Sequence, residues 1–293
     1  IDLADSAVEL VIDMAKVTDL TTVKITDASS ESVELLNLAT GVTVDVTSTN
    51  ATATRTEVKL ATSTGSSDSQ TFVVAALGAD DNVDLVTADI ETLSISSDTA
   101  LQVDLDLSGV SMTAATGVVT ANFTGTNDIE LIATSATINV IDASGMGTGG
   151  AIVQSARSLG SASTYTGSAG DDTFMMLHAG DVLDGGAGTG DTLNITETGI
   201  LGGIAIDLSS ATDQVTSYDS VANSAVQKNF ENVNVTGYAN FGASITGSAG
   251  ANTITGTAGT DNISAGAGAD TIVIDTGTVA NSDIMDGGAG DDT

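Results

Sequence analysis

Aspartates that recur behind glycine turns at nine-residue spacing are the groups in this chain best placed to do chemistry. Gly167-Ser168-Ala169-Gly170-Asp171-Asp172-Thr173-Phe174-Met175 follows G-G-x-G-x-D-x-U-x, with U a large apolar residue, except for Ser168. The next nine residues lose the glycines but keep Asp181 at position six and Leu183 at position eight. Gly185, Gly186 and Gly188 then restore the turn, with Asp191 displaced one place by an extra residue near Gly190. A second block runs without a slip: GSAGANTIT from Gly247, GTAGTDNIS from Gly256 and AGAGADTIV from Ala265. After an insertion, Asp283-Ile284-Met285-Asp286-Gly287-Gly288 repeats the order Asp181-Val182-Leu183-Asp184-Gly185-Gly186, and Gly287 to Thr293 opens a further copy.

Each nonapeptide reads as a tight glycine turn, whose residues can take positive φ and direct carbonyls inward, followed by a three-residue strand with its central apolar side chain in the core. Two nonapeptides make one coil of a right-handed parallel roll, so turns nine residues apart lie on opposite edges and turns eighteen apart are stacked. Stacked turns would bring aspartate carboxylates and glycine carbonyls around one ion. A hard, all-oxygen, flexible cage suits calcium better than magnesium or zinc. The expected position-six ligands are Asp172, Asp181, Asp191, Asp261, Asp270, Asp283 and Asp292, with Asn252 a weaker, neutral member. Gly167, Gly170, Gly185, Gly188, Gly256, Gly259, Gly266, Gly268, Gly287 and Gly290 would supply the turns. The metal-free alternative, in which Asp and Asn only cap turns, leaves a ladder of carboxylates that repel one another.

These residues resemble the RTX repeats of proteins exported by Gram-negative type I secretion, over about 167–199 and 247–293. The order Asp181 to Gly188, then Asp191-Thr192-Leu193-Asn194, then a variable stretch and Phe230-Glu231-Asn232-Val233-Asn234-Val235, is similar to RTX-type bacterial surface-layer proteins. That resemblance implies a chain kept unfolded in the low-calcium cytosol, exported, folded by external calcium and assembled into a lattice on the cell surface. Copies that depart from the pattern, at Ser168, Met176 to Gly180, Gly190, Asn252 and before Asp283, are expected to be weak or empty sites.

The elements that must position the repeats are strands. Residues 1–160 show short period-two runs such as Thr21 to Ile25, Val42 to Val46, Thr56 to Leu60, Val103 to Leu107 and Thr137 to Ile141. Only Asp2 to Ala15 is ambiguous with a helix. The expected fold is an all-β, right-handed parallel β-roll or β-solenoid, with an N-terminal β region at 1–160 and an RTX-type roll at 161–293 whose two blocks flank a β connector at about 200–246. Ser144 to Ser163, rich in Gly, Ser and Ala, marks the boundary. A looser motif, apolar-Glu-x-apolar-x-apolar, recurs at Glu34, Glu91 and Glu231 and imperfectly at Glu130. It reads as a solenoid corner following the Glu, with no partner evident for the carboxylate.

Composition agrees with an exported scaffold. The 293 residues carry 39 Asp plus Glu against 6 Lys plus Arg, a formal net charge of -33, yet 41% are hydrophobic, enough for a core. Clustered cations are lacking, which excludes nucleic acid and anionic membrane surfaces as partners. No apolar run is long enough to insert in a bilayer, and no signal peptide opens the sequence. With no Cys, thiol chemistry is excluded, and His178, the only His, cannot make a zinc-protease motif. Lys16, Lys24, Arg55, Lys59, Arg157 and Lys228 are expected to be solvated or paired locally, with Arg55 and Lys59 a candidate inter-subunit contact. The chain reads as a segment of a longer or processed polypeptide. The expected function is non-enzymatic: an extracellular calcium-binding structural protein that self-associates into a surface layer or sheath on a bacterial cell, with cell-surface polysaccharide as a further partner class. The alternatives are a segment of a large RTX adhesin that binds a surface or glycan, or the non-catalytic roll of a secreted enzyme.

Overall fold

The computed structural model describes residues 10–27, 32–48, 54–78, 81–97, 101–113, 118–158, 161–195, 202–236, 241–274 and 282–293. Among these, every regular element is a strand, and no helix is long and apolar enough to cross a membrane. Of the stretch Asp2 to Ala15, ambiguous between helix and strand, residues 2–9 lie outside the described residues; from Leu10 to Asp13 the chain is a strand. By contacts it divides into two compact units, Ile1–Ser161 and Ala162–Thr293.

In the first unit the chain alternates between two parallel sheets. One holds Leu10–Asp13, Val33–Leu38, Thr54–Leu60, Asn82–Ala88, Val103–Leu107, Ile129–Thr134 and Ile152–Gln154 as successive neighbours. The other holds Thr22–Asp27, Thr43–Ser48, Ser69–Ala76, Thr92–Ser97, Val119–Gly125 and Ile138–Met146. Apart from the two-residue Val110–Ser111, which pairs with Asn82–Ala88, successive strands alternate between the sheets, the defining arrangement of a β-solenoid. Period-two patterning works here as expected: Val103, Leu105 and Leu107 are buried while Asp104 and Asp106 face outward. Because the pairing is parallel and in register, like residues stack from coil to coil. Val103, Ile129 and Ile152 form one such fully buried column, and Val44, Phe72 and Ile95 another.

On the outer faces the sparse cations pair locally. Lys24 Nζ lies 3.0 Å from Asp45 Oδ2, Arg55 Nη2 2.9 Å from Glu57 Oε2, and Lys59 bridges Glu34 and Glu57.

The second unit uses shorter strands. One parallel sheet contains Thr173–Met176, Thr192–Ile195, Asn232–Asn234, Thr253–Thr255 and Thr271–Val273. Its inward column is Phe174, Leu193, Val233, Ile254 and Ile272, the position-eight apolar residues plus Val233 from the connector. Facing strands are Thr164–Thr166, Val182–Asp184 and Gln227–Lys228. A further sheet contains Ile204–Asp207, Ala243–Thr246, Asn262–Ser264 and Ile284–Asp286. Tyr165 and Phe174 meet across the core with ring centroids 5.6 Å apart, tilted by 52°.

The parallel rule breaks in the connector. Val215–Tyr218 runs antiparallel to both Ile204–Asp207 and Val221–Ala222. Asp219 and Ser220 sit at the reversal with φ of 53° and 59°, a two-residue turn in which both central residues are left-handed. Neither is glycine, so the turn carries no strong sequence mark.

Phe174 is fully buried and its loss would leave a cavity in a narrow core. Phe174→Ala is expected to lower the unfolding free energy in calcium by about 3–5 kcal/mol, measured by chemical denaturation; a change within about 0.5 kcal/mol, typical of an exposed site, would contradict this packing.

Candidate calcium site

The position-six residues form columns. Along the strands from Thr173–Met176 to Thr271–Val273, the residue just before each strand is Asp172, Asp191, Glu231, Asn252 and Asp270, and Asp292 comes next in the column. Four of them pass a hydrogen bond along the stack. The Asp172 N–H donates to Asp191 Oδ1 (2.7 Å), Asp191 N–H to Glu231 Oε2 (3.0 Å), Asn252 N–H to Asp270 Oδ1 (2.8 Å) and Asp270 N–H to Asp292 Oδ1 (3.2 Å). On the opposite edge Ser163 N–H donates to Asp181 Oδ1, Ala243 N–H to Asp261 Oδ1 and Asp261 N–H to Asp283 Oδ1. The spacing logic holds: turns about eighteen residues apart stack, and turns nine apart take opposite edges.

Burial of these acids is the unusual feature. Asp172, Asp181 and Asp191 are 0% exposed, Asp261 and Asp270 1%, and Asn252 2%. Asp283 is half-buried and Asp292 exposed in the last described coil. Buried carboxylates need a proton, several donors or a cation. Asp181 has donors: Leu177 and His178 N–H groups hold its Oδ2 at 3.0 and 2.9 Å. It caps a turn that lacks the glycines, and His178 shapes that turn by accepting a hydrogen bond at Nδ1 from Gly180 N–H. Asp191 and Asp270 are different. Their Oδ2 atoms are buried with no hydrogen-bond partner.

Among the described residues no three acidic or imidazole side chains gather closely enough to hold a metal by themselves. A cation here would therefore need backbone oxygens, and the glycine turns bring them. A Cβ placed on Gly188 would lie 2.4 Å from Gly170 O and 2.7 and 3.0 Å from Asp191 Oδ1 and Oδ2. Only glycine leaves that oxygen-lined cradle open. Gly186, with φ of 108°, adopts the left-handed backbone that the turn requires, and a Cβ there would meet Ser168 O at 2.2 Å. Four further turn glycines are as tightly stacked: a Cβ at Gly167 would meet Gly185 O, at Gly266 Ser248 O, at Gly288 Gly266 O and at Gly290 Gly268 O, all within 2.2 Å. At Gly256 and Gly287 the nearest atoms are the position-six carboxylates of Asp261 and Asp292. The residues present fit an oxygen-ligated cation: paired turn carbonyls, a stacked carboxylate and an open buried oxygen.

Glu231 was not a predicted member of this set. It takes the position-six place between the two blocks, so Asp191 and Asn252, sixty-one residues apart, belong to one column. The corner lies at and before the Glu, not after it: Asn229 is left-handed at φ 59°, Phe230 is buried, and the strand starts at Asn232. Both Glu231 and Asn232 N–H groups donate to Asp191 O. The same corner recurs in the first unit. Asp89 has φ 56°, Ile90 is buried, Glu91 Oε2 accepts from Asp68 N–H at 2.8 Å, and Glu91 and Thr92 N–H both donate to Asp68 O. Glu34 and Glu130 instead lie within strands. The recurrent Glu was the available signal, but its partner is a backbone N–H one coil away.

Electrostatics follow from the burial. Asp191 is pushed up to about 8, first by desolvation and then by the neighbouring Asp172, Glu231 and Asp171 charges, against the Asp172 N–H that favours ionisation. Glu231 is raised as well, again mainly by desolvation. Without a cation, ionising either group disfavours the folded roll, so the stability these two groups contribute is fully present below the ordinary carboxylate range and is lost as pH rises toward about 8. In chelator, acidifying from about pH 9 to about pH 6 is expected to increase the strand signal in circular dichroism; a decrease over that window would contradict this electrostatic reading.

Comparison with known families places the chemistry. Residues 241–276 and 280–293 match the RTX calcium-binding nonapeptide repeat, in four copies. The match covers the second block; the first, near 167–199, lies outside it, although its turns stack in the same column. No match was found among curated proteins or among solved structures. The chain thus carries RTX calcium-binding nonapeptide repeats on an all-β solenoid, and calcium is the cation they bind.

Proposed function

We propose that this chain is a structural, non-enzymatic calcium-binding protein of the bacterial cell exterior, which folds on meeting calcium and self-associates into a surface layer or sheath. The observation that carries this reading is the column of buried position-six carboxylates, with unpartnered buried oxygens at Asp191, beside the Gly188 turn, and at Asp270. The position-six acids, together with carbonyls of the glycine turns, are the proposed ligands. An ion that binds the folded roll alone stabilises it by RT ln(1 + [L]/Kd), about 2.7 kcal/mol per independent site at a hundredfold excess over Kd. Such a chain would stay loose where calcium is scarce and set where it is abundant, which suits export before folding.

A structural role is supported by what surrounds the column. The outward faces carry Asp, Thr and Ser from strand after strand, and the aromatic content is 3%, too little for a carbohydrate-stacking platform. The sole histidine is committed to a turn through Gly180. Lys228 Nζ pairs with Asp184 Oδ2 at 3.0 Å on the roll's own surface.

Negative-stain microscopy of the purified chain, with millimolar calcium and after chelation, separates the readings. Regular sheets or filaments only with calcium are expected; monodisperse rods in calcium would favour an adhesin segment or the roll of a secreted enzyme instead.

A further inference from the structure

Residue two of the nonapeptide divides the copies into two kinds. In three copies it is Ser168, Ser248 or Thr257, and its backbone N–H donates to the sixth side chain, Asp172 (2.7 Å), Asn252 (2.6 Å) or Asp261 (2.9 Å). The hydroxyl of the same residue reaches the same side chain at 2.8, 3.1 and 2.6 Å. These copies are closed: the sixth side chain is held by its own turn, and Asp261 Oδ1 also accepts from Ala243 N–H of the stacked coil.

In three other copies residue two is Gly186, Gly266 or Gly288, with φ of 108°, 107° and 90°. The positive φ rotates the turn, and residues with a Cβ rarely adopt it. Gly186 and Gly288 direct their N–H groups to Asp184 Oδ1 and Asp286 Oδ1 at 3.1 and 3.0 Å, away from the sixth position. There is no hydroxyl to replace them. The sixth carboxylates of the first two, Asp191 and Asp270, are 0% and 1% exposed and keep an Oδ2 with no hydrogen-bond partner; the third, Asp292, belongs to the same kind but is exposed in the last described coil.

Leaving a buried carboxylate oxygen unmatched is costly, whereas a closed copy has donors to lose before it can take an ion. We propose that calcium affinity is concentrated on the open copies, at Asp191 and Asp270, and that the closed copies at Asp172 and Asp261 are internally capped coils that hold the stack without an ion of their own. Residue two, glycine against serine or threonine, is thus the determinant of which repeats load. This inference rests on the calcium-binding reading above.

Equilibrium dialysis of the whole chain against radiolabelled calcium tests it. Asp191→Asn and Asp270→Asn are each expected to lose about one bound ion, or to weaken one class of sites at least about tenfold, while Asp172→Asn and Asp261→Asn keep the full complement. Ser168→Gly keeps every carboxylate and opens a closed copy, so it decides the matter even if an Asn variant fails to fold: tighter or additional calcium is expected. Unchanged binding in Ser168→Gly, or equal losses in all four Asn variants, overturns the inference. A native chain that binds no calcium overturns the calcium-binding reading itself.

Discussion

A carboxylate held away from water must be matched, and the second unit stacks one such group per coil. Coil length, strand register and turn chemistry follow from that constraint. Asp172 N–H reaches the Asp191 carboxylate and Asn252 N–H that of Asp270, which fixes Thr173 opposite Thr192 and Thr253 opposite Thr271. Extra residues are tolerated only where they leave the column intact. The stretch between Asp191 and Glu231 is such an excursion, with its antiparallel strands returning the chain to the next place in the stack.

The two units solve the solenoid problem with different materials. In the first, strands of mostly five to nine residues bury columns of Val, Leu, Ile and Phe, and a Glu–backbone corner closes the turn at Asp68 and Glu91. Apolar burial is the main stabilising term there. Strands of mostly three or four residues in the second unit bury one or two apolar side chains per pass, so each coil has less to set against chain entropy. In the proposed reading calcium supplies the difference, acting on carboxylates that disfavour the fold when ionised and unmatched.

Much of this was legible in the sequence because the repeat is local. Nine-residue spacing places position eight in the core, and Phe174, Leu193, Ile254 and Ile263 are all there. Alternation in TTVKI, VDLDL and TINVI marks real strands. What escaped depends on neighbours far along the chain or on the sign of one dihedral angle. Glu231 joins the column across a forty-residue gap, and its partner is a main-chain N–H that no side-chain pattern encodes. Ser168 reads as a weakened glycine, yet it supplies two donors to Asp172. The Asp219-Ser220 turn lacks the glycine that would have announced it.

Amide hydrogen exchange, resolved along the chain with and without calcium, addresses the dependence of the roll on its ion most directly. In chelator, fast exchange across 162–293 with continued protection of the strands between Thr22 and Met146 is the predicted result, and millimolar calcium should restore protection to the roll. Protection of 162–293 that is the same in chelator and in calcium would contradict it.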